Sequence, residues 1–243
     1  MDILIATHNQ GKIKRYRRLF KDIANLNLIT LAELGINHKA DEPFSTPREN
    51  AIHKAKVYGD LSQLPTIAID EAVSTNFLPD NEQPGVFVRR FRSGRDLIDA
   101  EVLVVWQEIF KIYNQADRQF IWDFSLSYYN PADGLIKNAQ ARQTNTVAPE
   151  FSKIIDPGYP MSSFLIPAGF DRPHSELSDE ECLIVDQTNL RPFVDLLAGI
   201  AKILFQLQQL GLPLGFRSKA VWWQNYLISN YADQYGKVKK LAS

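Results

Sequence analysis

The chain has 243 residues, of which 45% are hydrophobic and 23% are charged, and its formal net charge is -1 at pH 7. This composition is typical of a soluble protein, and the near-zero charge argues against a protein that coats nucleic acid. No apolar run approaches the roughly 20 residues of a membrane helix, and the N-terminal segment lacks the features of a signal peptide. Cys182 is the only cysteine, which excludes an intrachain disulfide and a thiolate metal cluster. We therefore expect a cytoplasmic protein without nucleic-acid or membrane partners.

Strands and helices alternate in the first half of the chain. The apolar run from Ile3 to Ala6 predicts a buried strand, which ends in a polar turn and continues into a basic helix after Lys12. The pattern then predicts, in order, a strand at 28–31, a loop at 38–47, a helix at 48–61 and a strand at 66–69. This alternation is typical of an α/β fold.

A β-hairpin and further helices make up the second half. The pattern predicts a loop at 78–85, a helix at 96–113, strands at 120–129 and 135–148 around a turn at 130–134, a strand at 163–166, and helices at 190–210 and 220–231. Because the hairpin follows the α/β half, we predict one domain over residues 1–243, with two lobes and a cleft between them.

The turn from Thr7 to Lys12 is the first candidate binding element. In an open α/β sheet, ligands bind beyond the carboxyl ends of the strands, where this turn lies. Gly11 would let the backbone approach an anion, and Lys12 would add charge beside the free N–H groups of a helix start. A plain polar turn after an edge strand is the alternative interpretation.

Carboxylates and a lysine follow at the ends of other predicted elements. Glu42 lies in the loop before the second helix, Lys54 lies one turn into that helix, and Asp70 with Glu71 ends the third strand. Carboxylates that face lysines can build a magnesium–phosphate site, because Mg²⁺ prefers a few carboxylates, water and substrate phosphate oxygens. Taken singly, each residue also suits a structural role, Lys54 as a solvated helix lysine and Asp70 as a strand cap.

Four motifs succeed one another along the chain. They are Thr7-x-Asn9-x-x-Lys12, Glu42 followed by Glu49-Asn50-Ala51-x-x-Lys54, Leu64-Pro65-x-x-Ala68-x-Asp70, and Pro84-Gly85-Val86-Phe87-x-x-Arg90-Phe91. This series resembles the inosine triphosphate pyrophosphatase family, closely over residues 1–92 and more loosely beyond. The resemblance implies hydrolysis of non-canonical purine nucleoside triphosphates to monophosphate and pyrophosphate with Mg²⁺. It also implies a usually dimeric, two-lobed mixed α/β fold with a central elongated sheet and the nucleotide in the cleft.

The resemblance further implies roles for individual residues. Glu42 and Asp70 would hold the metal, and Asp70 would be the catalytic residue that activates water. The substrate-binding residues that it implies are Thr7, Asn9, Lys12, Lys54 and Arg90.

The third motif departs from the family pattern. Ile69 stands in place of the first aspartate of Ala-Asp-Asp-Ser-Gly and cannot ligate a metal. Glu71 could replace the missing charge, but neighbours on a strand point to opposite faces, so we expect this substitution not to be positionally equivalent.

The segments that recognise the base depart as well. Residues 158–164 match the family's Phe-Gly-Tyr/Trp-Asp-Pro-x-Phe segment with Met161 in place of its aspartate, and no intact Ser-His-Arg motif follows. Residues 188–191 are nearest to that motif in spacing and residues 215–220 in pattern. Because a pocket that reads a 6-keto purine needs donors against its carbonyl oxygen, we expect altered base recognition.

Three functional hypotheses follow. The first is a Mg²⁺-dependent nucleoside triphosphate pyrophosphatase with altered base recognition. The second is a catalytically impaired pseudoenzyme that binds nucleotides or partners, and the third is a related pyrophosphatase for modified pyrimidine or other nucleotides. Convergence of the Glu42 and Asp70 carboxylates on one cleft would favour catalysis.

Overall fold

A mixed β-sheet runs through residues 1–209, the part of the chain that the computed structural model describes. Its strands are β1 (Asp2–Ile5), β2 (Asn27–Thr30), β3 (Thr66–Thr75), β4 (Gln119–Asn130), β5 (Leu135–Val147) and β6 (Leu165–Pro167). The α-helices of the described residues are α1 (Gln10–Phe20), α2 (Pro47–Ser62), α3 (Asp99–Ile112), α4 (Asp179–Asn189) and α5 (Arg191–Gln209). Within these residues, no helix is long and apolar enough to cross a membrane.

The sheet changes from parallel to antiparallel at β3. Its strand order is β2-β1-β3-β4-β5-β6, with β1 parallel to both of its neighbours and every later pair antiparallel. Strand β1 pairs with β3 only at Thr66 and Ile67, whereas β4 pairs with β3 along its whole length. Strand β3 therefore runs past the end of β1, and its edge is free of a strand partner at residues 69–71, before Val73 pairs with Gly85.

Helices cover both faces of the parallel half. Tyr16 of α1 and Phe193 of α5 pack with Ile3, Ile5 and their neighbours on one face. Ala55 and Tyr58 of α2 pack with Leu4, Ala6 and Ala68 on the other face. Helices α1 and α2 thus approach β3 from opposite sides, since successive strand residues alternate between faces.

An aromatic core supports the antiparallel half. Trp106 of α3 packs edge-on against Phe120 of β4, with ring centroids 4.7 Å apart, and Phe164 closes the cluster beside β6. Such aromatic pairs add rigidity beyond the area they bury. This core holds the loop at 156–164 against the end of the sheet.

Most predicted elements are confirmed, and with them the α/β class. Strand β3 extends to Thr75 where the sequence predicted an end at residue 69, because the antiparallel partner β4 continues the pairing. Helix α4 was missed, although Ser178 and Glu181 form a capping box at its start. Its buried residues are few, so its apolar periodicity is weak. The helix predicted at 220–231 lies outside the described residues.

Candidate active site

One cavity of about 750 Å³ runs from the β1–α1 turn to strand β5. Lys12, Lys54 and Asp70 line its outer end, and Gln143 and Asn145 line its inner end. The charges at the two ends are arranged differently: lysines pair with carboxylates at the outer end, and two arginines share one buried carboxylate beside the inner end.

The turn after β1 is fixed by its own side chains. Thr7 Oγ1 accepts a hydrogen bond from the Asn9 backbone N–H (3.1 Å), and Asn9 Oδ1 caps α1 by accepting from the Lys12 N–H (3.2 Å). Asn9 Nδ2 donates to the carbonyl of Gly158 at 3.3 Å. Both polar ends of the Asn9 side chain are therefore engaged within the protein, which holds the start of α1 in position.

Gly11 has a packing role that the sequence did not indicate. A Cβ at this position would lie 2.7 Å from the Pro157 carbonyl oxygen and 2.7 Å from the Tyr159 ring. The absence of a side chain lets the loop at 157–159 lie directly on the first turn of α1. The glycine thus brings the two walls of the cavity together.

Lys54 joins the two carboxylates that the sequence predicted as metal ligands. Its Nζ lies 3.0 Å from Glu42 Oε1 and 2.6 Å from Asp70 Oδ1, and it is largely buried. The Glu42 and Asp70 carboxylates therefore converge on one ammonium group in the cavity. Lys54 is not a solvated helix lysine, and Asp70 lies within β3, not at its end.

Burial and charge act in opposite directions on these groups. Burial acts to lower the pKa of Lys54, but the charges of Asp70 and Glu42 outweigh it and raise that pKa. Burial raises the pKa of Asp70 despite the neighbouring lysines. Burial also acts to raise the pKa of Glu42, but Lys54 and Lys12 outweigh it and lower that pKa. Asp70 is consequently the carboxylate of this pair that is easier to protonate.

A second lysine–carboxylate pair lies on the other face of β3. Lys12 Nζ is 3.2 Å from Glu71 Oε1, and the Glu71 side chain is only 8% exposed. Asp70 contacts a lysine of α2 and Glu71 contacts a lysine of α1, so the two carboxylates do point to opposite faces. Both still line the cavity, because the unpaired edge of β3 passes through it.

The carboxylate set is compatible with a hydrated divalent cation. Glu42 Oε2 and Asp70 Oδ2 take no part in the hydrogen bonds to Lys54, which use Oε1 and Oδ1. Within residues 1–209 there is no group of three or more His, Cys, Asp or Glu side chains close enough to hold a metal. Two carboxylates suffice for Mg²⁺ when water and phosphate oxygens complete its shell.

Arg90, the last predicted substrate residue, lies at the mouth of the cavity. Its Nε donates to Asp96 at 2.8 Å, and its side chain is 40% exposed. The adjacent Arg89, which the sequence analysis missed, bridges the mouth: its Nη2 donates to Asp99 (2.7 Å) and to the Gly158 carbonyl (2.9 Å). A doubled arginine was the only sequence signal for this contact.

The inner end contains a buried charge cluster that sequence analysis also missed. Arg15 donates from Nε to Asp186 (2.7 Å) and from Nη2 to Gln143 Oε1 (3.2 Å), and Arg18 donates to the second Asp186 oxygen (2.9 Å). Burial acts to lower the pKa of Arg15, but Asp186 outweighs it and raises that pKa further. Asp186 is completely buried. The ion pairs of Asp186 with Arg15 and Arg18 fix α4 to α1 beside the cavity.

The segments proposed for base recognition are placed differently from one another. Met161 is buried in the aromatic core and also lines the cavity. Residues 188–191 do not line it: Thr188 bonds to a carbonyl of its own helix, and Arg191 pairs with the exposed Asp195. Residues 215–220 lie outside the described residues. The base-contacting role proposed for 188–191 therefore has no support in the structure.

The fold and this cavity define a mixed α/β protein whose cleft combines paired lysines and carboxylates, the composition of a polyphosphate site. A model of the Ham1 family matches residues 3–185, and the chain belongs to that family. The dITP/XTP pyrophosphatase of Leptospira interrogans is 24% identical over 178 residues, which are 73% of this chain and 86% of that protein. The dITP/XTP pyrophosphatase of Escherichia coli O157:H7 is 31% identical over 131 residues, 54% of this chain and 64% of that protein.

A solved structure agrees with this assignment. The HAM1 protein from Coxiella burnetii superposes with a TM-score of 0.65 at 23% identity, covering 83% of this chain and 98% of its own. That likeness concerns the fold. Together with the family match, it confirms the resemblance to inosine triphosphate pyrophosphatases that the four motifs carry.

Proposed function

We propose that this chain is a Mg²⁺-dependent nucleoside triphosphate pyrophosphatase with altered base recognition. The observation that carries the proposal is the convergence of Glu42 and Asp70 on Lys54, with Lys12 and Glu71 across the same strand. The curated relatives are dITP/XTP pyrophosphatases, which supports this class of hydrolase. Homodimerisation is an expectation from the resemblance, and a cytoplasmic location is an expectation from the composition and the single cysteine.

The charges at the outer end favour exchange of partners when substrate arrives. Three carboxylates (Glu42, Asp70 and Glu71) form ion pairs with two lysines (Lys12 and Lys54). A cation held by Glu42 and Asp70 would leave the two ammonium groups free to neutralise phosphate oxygens. Exchange of this kind needs no large movement, because each partner already lies in the cavity.

Each residue can then be given a chemical task. Glu42 and Asp70 would hold Mg²⁺, which supplies charge neutralisation at the phosphates when bound. Asp70, whose pKa is raised by burial, accepts a proton from the attacking water more readily than an exposed aspartate does. Lys12 and Lys54 stabilise the negative charge that develops on the phosphate oxygens.

One observation favours the pseudoenzyme as a second candidate. Ile69 is 4% exposed and packs in the core between the sheet and α1, so it contributes no ligand to the cavity. Glu42 and Asp70 would then have to hold the metal on the Lys54 side of β3, because Glu71 lies on the other face beside Lys12. A molecule of this kind would bind nucleotide without hydrolysing it.

Pyrophosphate release from canonical and deaminated triphosphates, with and without Mg²⁺, tests the proposal. We expect Mg²⁺-dependent release that Asp70→Asn lowers by about a hundredfold or more, since it removes the proposed base. Lys12→Met should weaken binding of inorganic triphosphate. Lys111→Met is its matched control, because Lys111 is 69% exposed, pairs with Glu108 and does not line the cavity.

The outcomes separate the hypotheses. No release by the folded protein, with nucleotide binding intact in both wild type and Asp70→Asn, would support the pseudoenzyme and refute the enzyme. A strong preference for inosine triphosphate over both GTP and ATP would refute altered base recognition. Efficient hydrolysis of a modified pyrimidine triphosphate with little purine turnover would support the third hypothesis.

A further inference from the structure

Glu71 is a buried carboxylate that forms a single ion pair within residues 1–209. Its partner is Lys12, whose Nζ lies 3.2 Å from Glu71 Oε1 without hydrogen-bond geometry. Oε1 is therefore buried with no hydrogen-bond partner among these residues. We propose that Glu71 binds a sugar hydroxyl of the nucleotide, with the Tyr159 hydroxyl as a second contact, and that Glu71 thereby determines sugar specificity.

Two tyrosine hydroxyls near Glu71 are unpaired in the same way. The hydroxyls of Tyr16 and Tyr159 are buried and have no partner among the described residues. Tyr16 packs in the core with Ile69, which lies on the same face of β3 as Glu71 because strand residues two apart share a face. The Tyr159 ring lies on the first turn of α1, where a Cβ on Gly11 would be 2.7 Å from it. The three unpaired polar groups therefore lie together where α1 meets β3.

The charge of Glu71 acts on both hydroxyls. Burial raises the pKa of Tyr16, and the Glu71 carboxylate raises that pKa further. Burial and Glu71 also raise the pKa of Tyr159, although the nearby Arg15 acts to lower it. Both tyrosines therefore stay protonated at neutral pH, and each hydroxyl can donate a hydrogen bond as well as accept one.

These unpaired groups suit a ligand group that both donates and accepts. A carboxylate oxygen only accepts, so its partner must carry a proton, which an ionised phosphate or a keto oxygen does not. The Tyr159 hydroxyl can donate to that same partner. An alcohol hydroxyl meets both requirements. A carbon that carries only hydrogen leaves both protein groups unpaired, which costs free energy.

The sugar is the part of a nucleotide that reaches this position. Glu71 and Tyr159 both line the cavity beside Lys12, a proposed phosphate-binding residue. With hydrogen bonds of about 2.8 Å at each end and 3.2 Å between the two side chains, a hydroxyl on Glu71 lies within roughly 9 Å of a phosphate oxygen on Lys12. Since the sugar lies between the phosphates and the base, phosphates at Lys12 bring the sugar hydroxyls within this distance.

Phosphate binding strengthens the proposed sugar contact. A phosphate on Lys12 draws the ammonium group away from Glu71, whose side chain is only 8% exposed. A buried carboxylate that loses its ion pair is unfavourable, so hydrogen bonds from the ligand and from Tyr159 become more favourable. The sugar hydroxyl therefore replaces part of what Lys12 supplies in the absence of nucleotide.

Binding of nucleotides that differ only in one hydroxyl tests the inference, which rests on the proposed nucleotide site. Hydrolysis-resistant analogues of GTP, 2′-deoxy-GTP and 3′-deoxy-GTP are compared by calorimetry. Loss of the contacted hydroxyl should weaken binding at least about tenfold, the effect of one hydrogen bond to a buried charge. Weaker binding of either deoxy analogue supports the inference and shows which hydroxyl Glu71 contacts. Equal binding of all three would overturn it and assign the position to water.

Glu71→Gln should produce a result that general damage to the site would not. It removes the charge and keeps the shape, so the ratio of GTP to deoxy-GTP affinity should fall. It also removes the ion-pair partner of Lys12, so inorganic triphosphate should bind more tightly than to the wild type. Weaker binding of triphosphate together with an unchanged ratio would overturn the inference.

A second variant keeps the proposal falsifiable if Glu71→Gln does not fold. Tyr159→Phe removes only the hydroxyl and keeps the ring on Gly11, so the ratio should fall here too. Tyr129→Phe is the matched control, because its hydroxyl donates to Asp60 and it does not line the cavity. An unchanged ratio in Tyr159→Phe, or an equal fall in the control, would contradict the second contact.

The sugar contact and the proposed function can fail separately. Absence of pyrophosphate release with the sugar discrimination intact would refute only the enzyme. Mg²⁺-dependent release, with equal binding of all three analogues, would refute only the sugar contact.

Discussion

Replacing Asp186 by asparagine removes the charge that holds two arginines below the surface. Asp186 is 0% exposed, while the side chains of Arg15 and Arg18 are 12% and 15% exposed. Removing one partner of a buried pair costs about 3–5 kcal/mol, because the remaining charge is left uncompensated. The arginines keep some access to solvent and Arg18 keeps its contact with Asp179, so we expect about 3 kcal/mol. For a chain of this size that loss lowers Tm by roughly 10 °C.

Urea unfolding followed by tryptophan fluorescence measures the loss directly. The control is Asp195→Asn, since Asp195 forms an ion pair of similar length (2.8 Å) with Arg191 on the surface of α5. Exposed pairs of this type contribute about 0.5 kcal/mol or less. If both variants lose the same small free energy of unfolding, the charge of Asp186 does not stabilise the α1–α4 contact, and the reasoning is refuted.

Two further changes probe the cavity walls. Gly11→Ala should cost about 1–3 kcal/mol in urea unfolding because its Cβ meets the 157–159 loop; Gly199→Ala, with open space around the Cβ, should stabilise α5 by about 0.5–1 kcal/mol. If Gly11→Ala and Gly199→Ala raised the free energy of unfolding equally, the close packing around Gly11 would be contradicted. Burial acts to lower the pKa of His174, but Asp156 outweighs it and raises that pKa to about 9. Since a raised folded-state pKa stabilises at low pH, stability should fall between about pH 6.5 and 9, and the fall should disappear in His174→Gln. If the stability of His174→Gln fell with pH as steeply as that of the wild type, a group other than His174 would be its cause.

The outer end of the cavity could be predicted because its residues follow local patterns. Lys12 and Asp70 each follow shortly after a predicted strand, and Lys54 lies in the first half of a well-marked helix. Parallel strands β1 and β3 bring such positions together whatever the details of packing. The place of Glu71 could not be predicted in this way, since it enters the cavity from the face of β3 opposite to Asp70.

The inner end could not be predicted in this way. Arg15 is 128 residues from Gln143 and 171 residues from Asp186 along the chain. On the sequence, Arg15 belongs to a run of basic residues on an apparently solvated helix face, and Asp186 belongs to a helix with weak periodicity. Their pairing depends on where α4 docks, and that position is set by tertiary packing that no local pattern encodes.

The two ends of the cavity differ in how firmly their charged groups are paired. At the outer end, the three carboxylates Glu42, Asp70 and Glu71 outnumber the two lysines that they contact, so these groups could exchange partners with the metal and phosphate proposed to bind there. At the inner end, the Asp186 carboxylate is fully committed to Arg15 and Arg18, and the remaining polarity is passed through neutral carboxamides to Asn145. A neutral carboxamide can change its hydrogen-bonding partner without changing the charge balance at Lys12 and Lys54. Substitutions in β5 and α4 can therefore change the hydrogen bonds at the inner end while the ion pairs of Lys12 and Lys54 stay as they are.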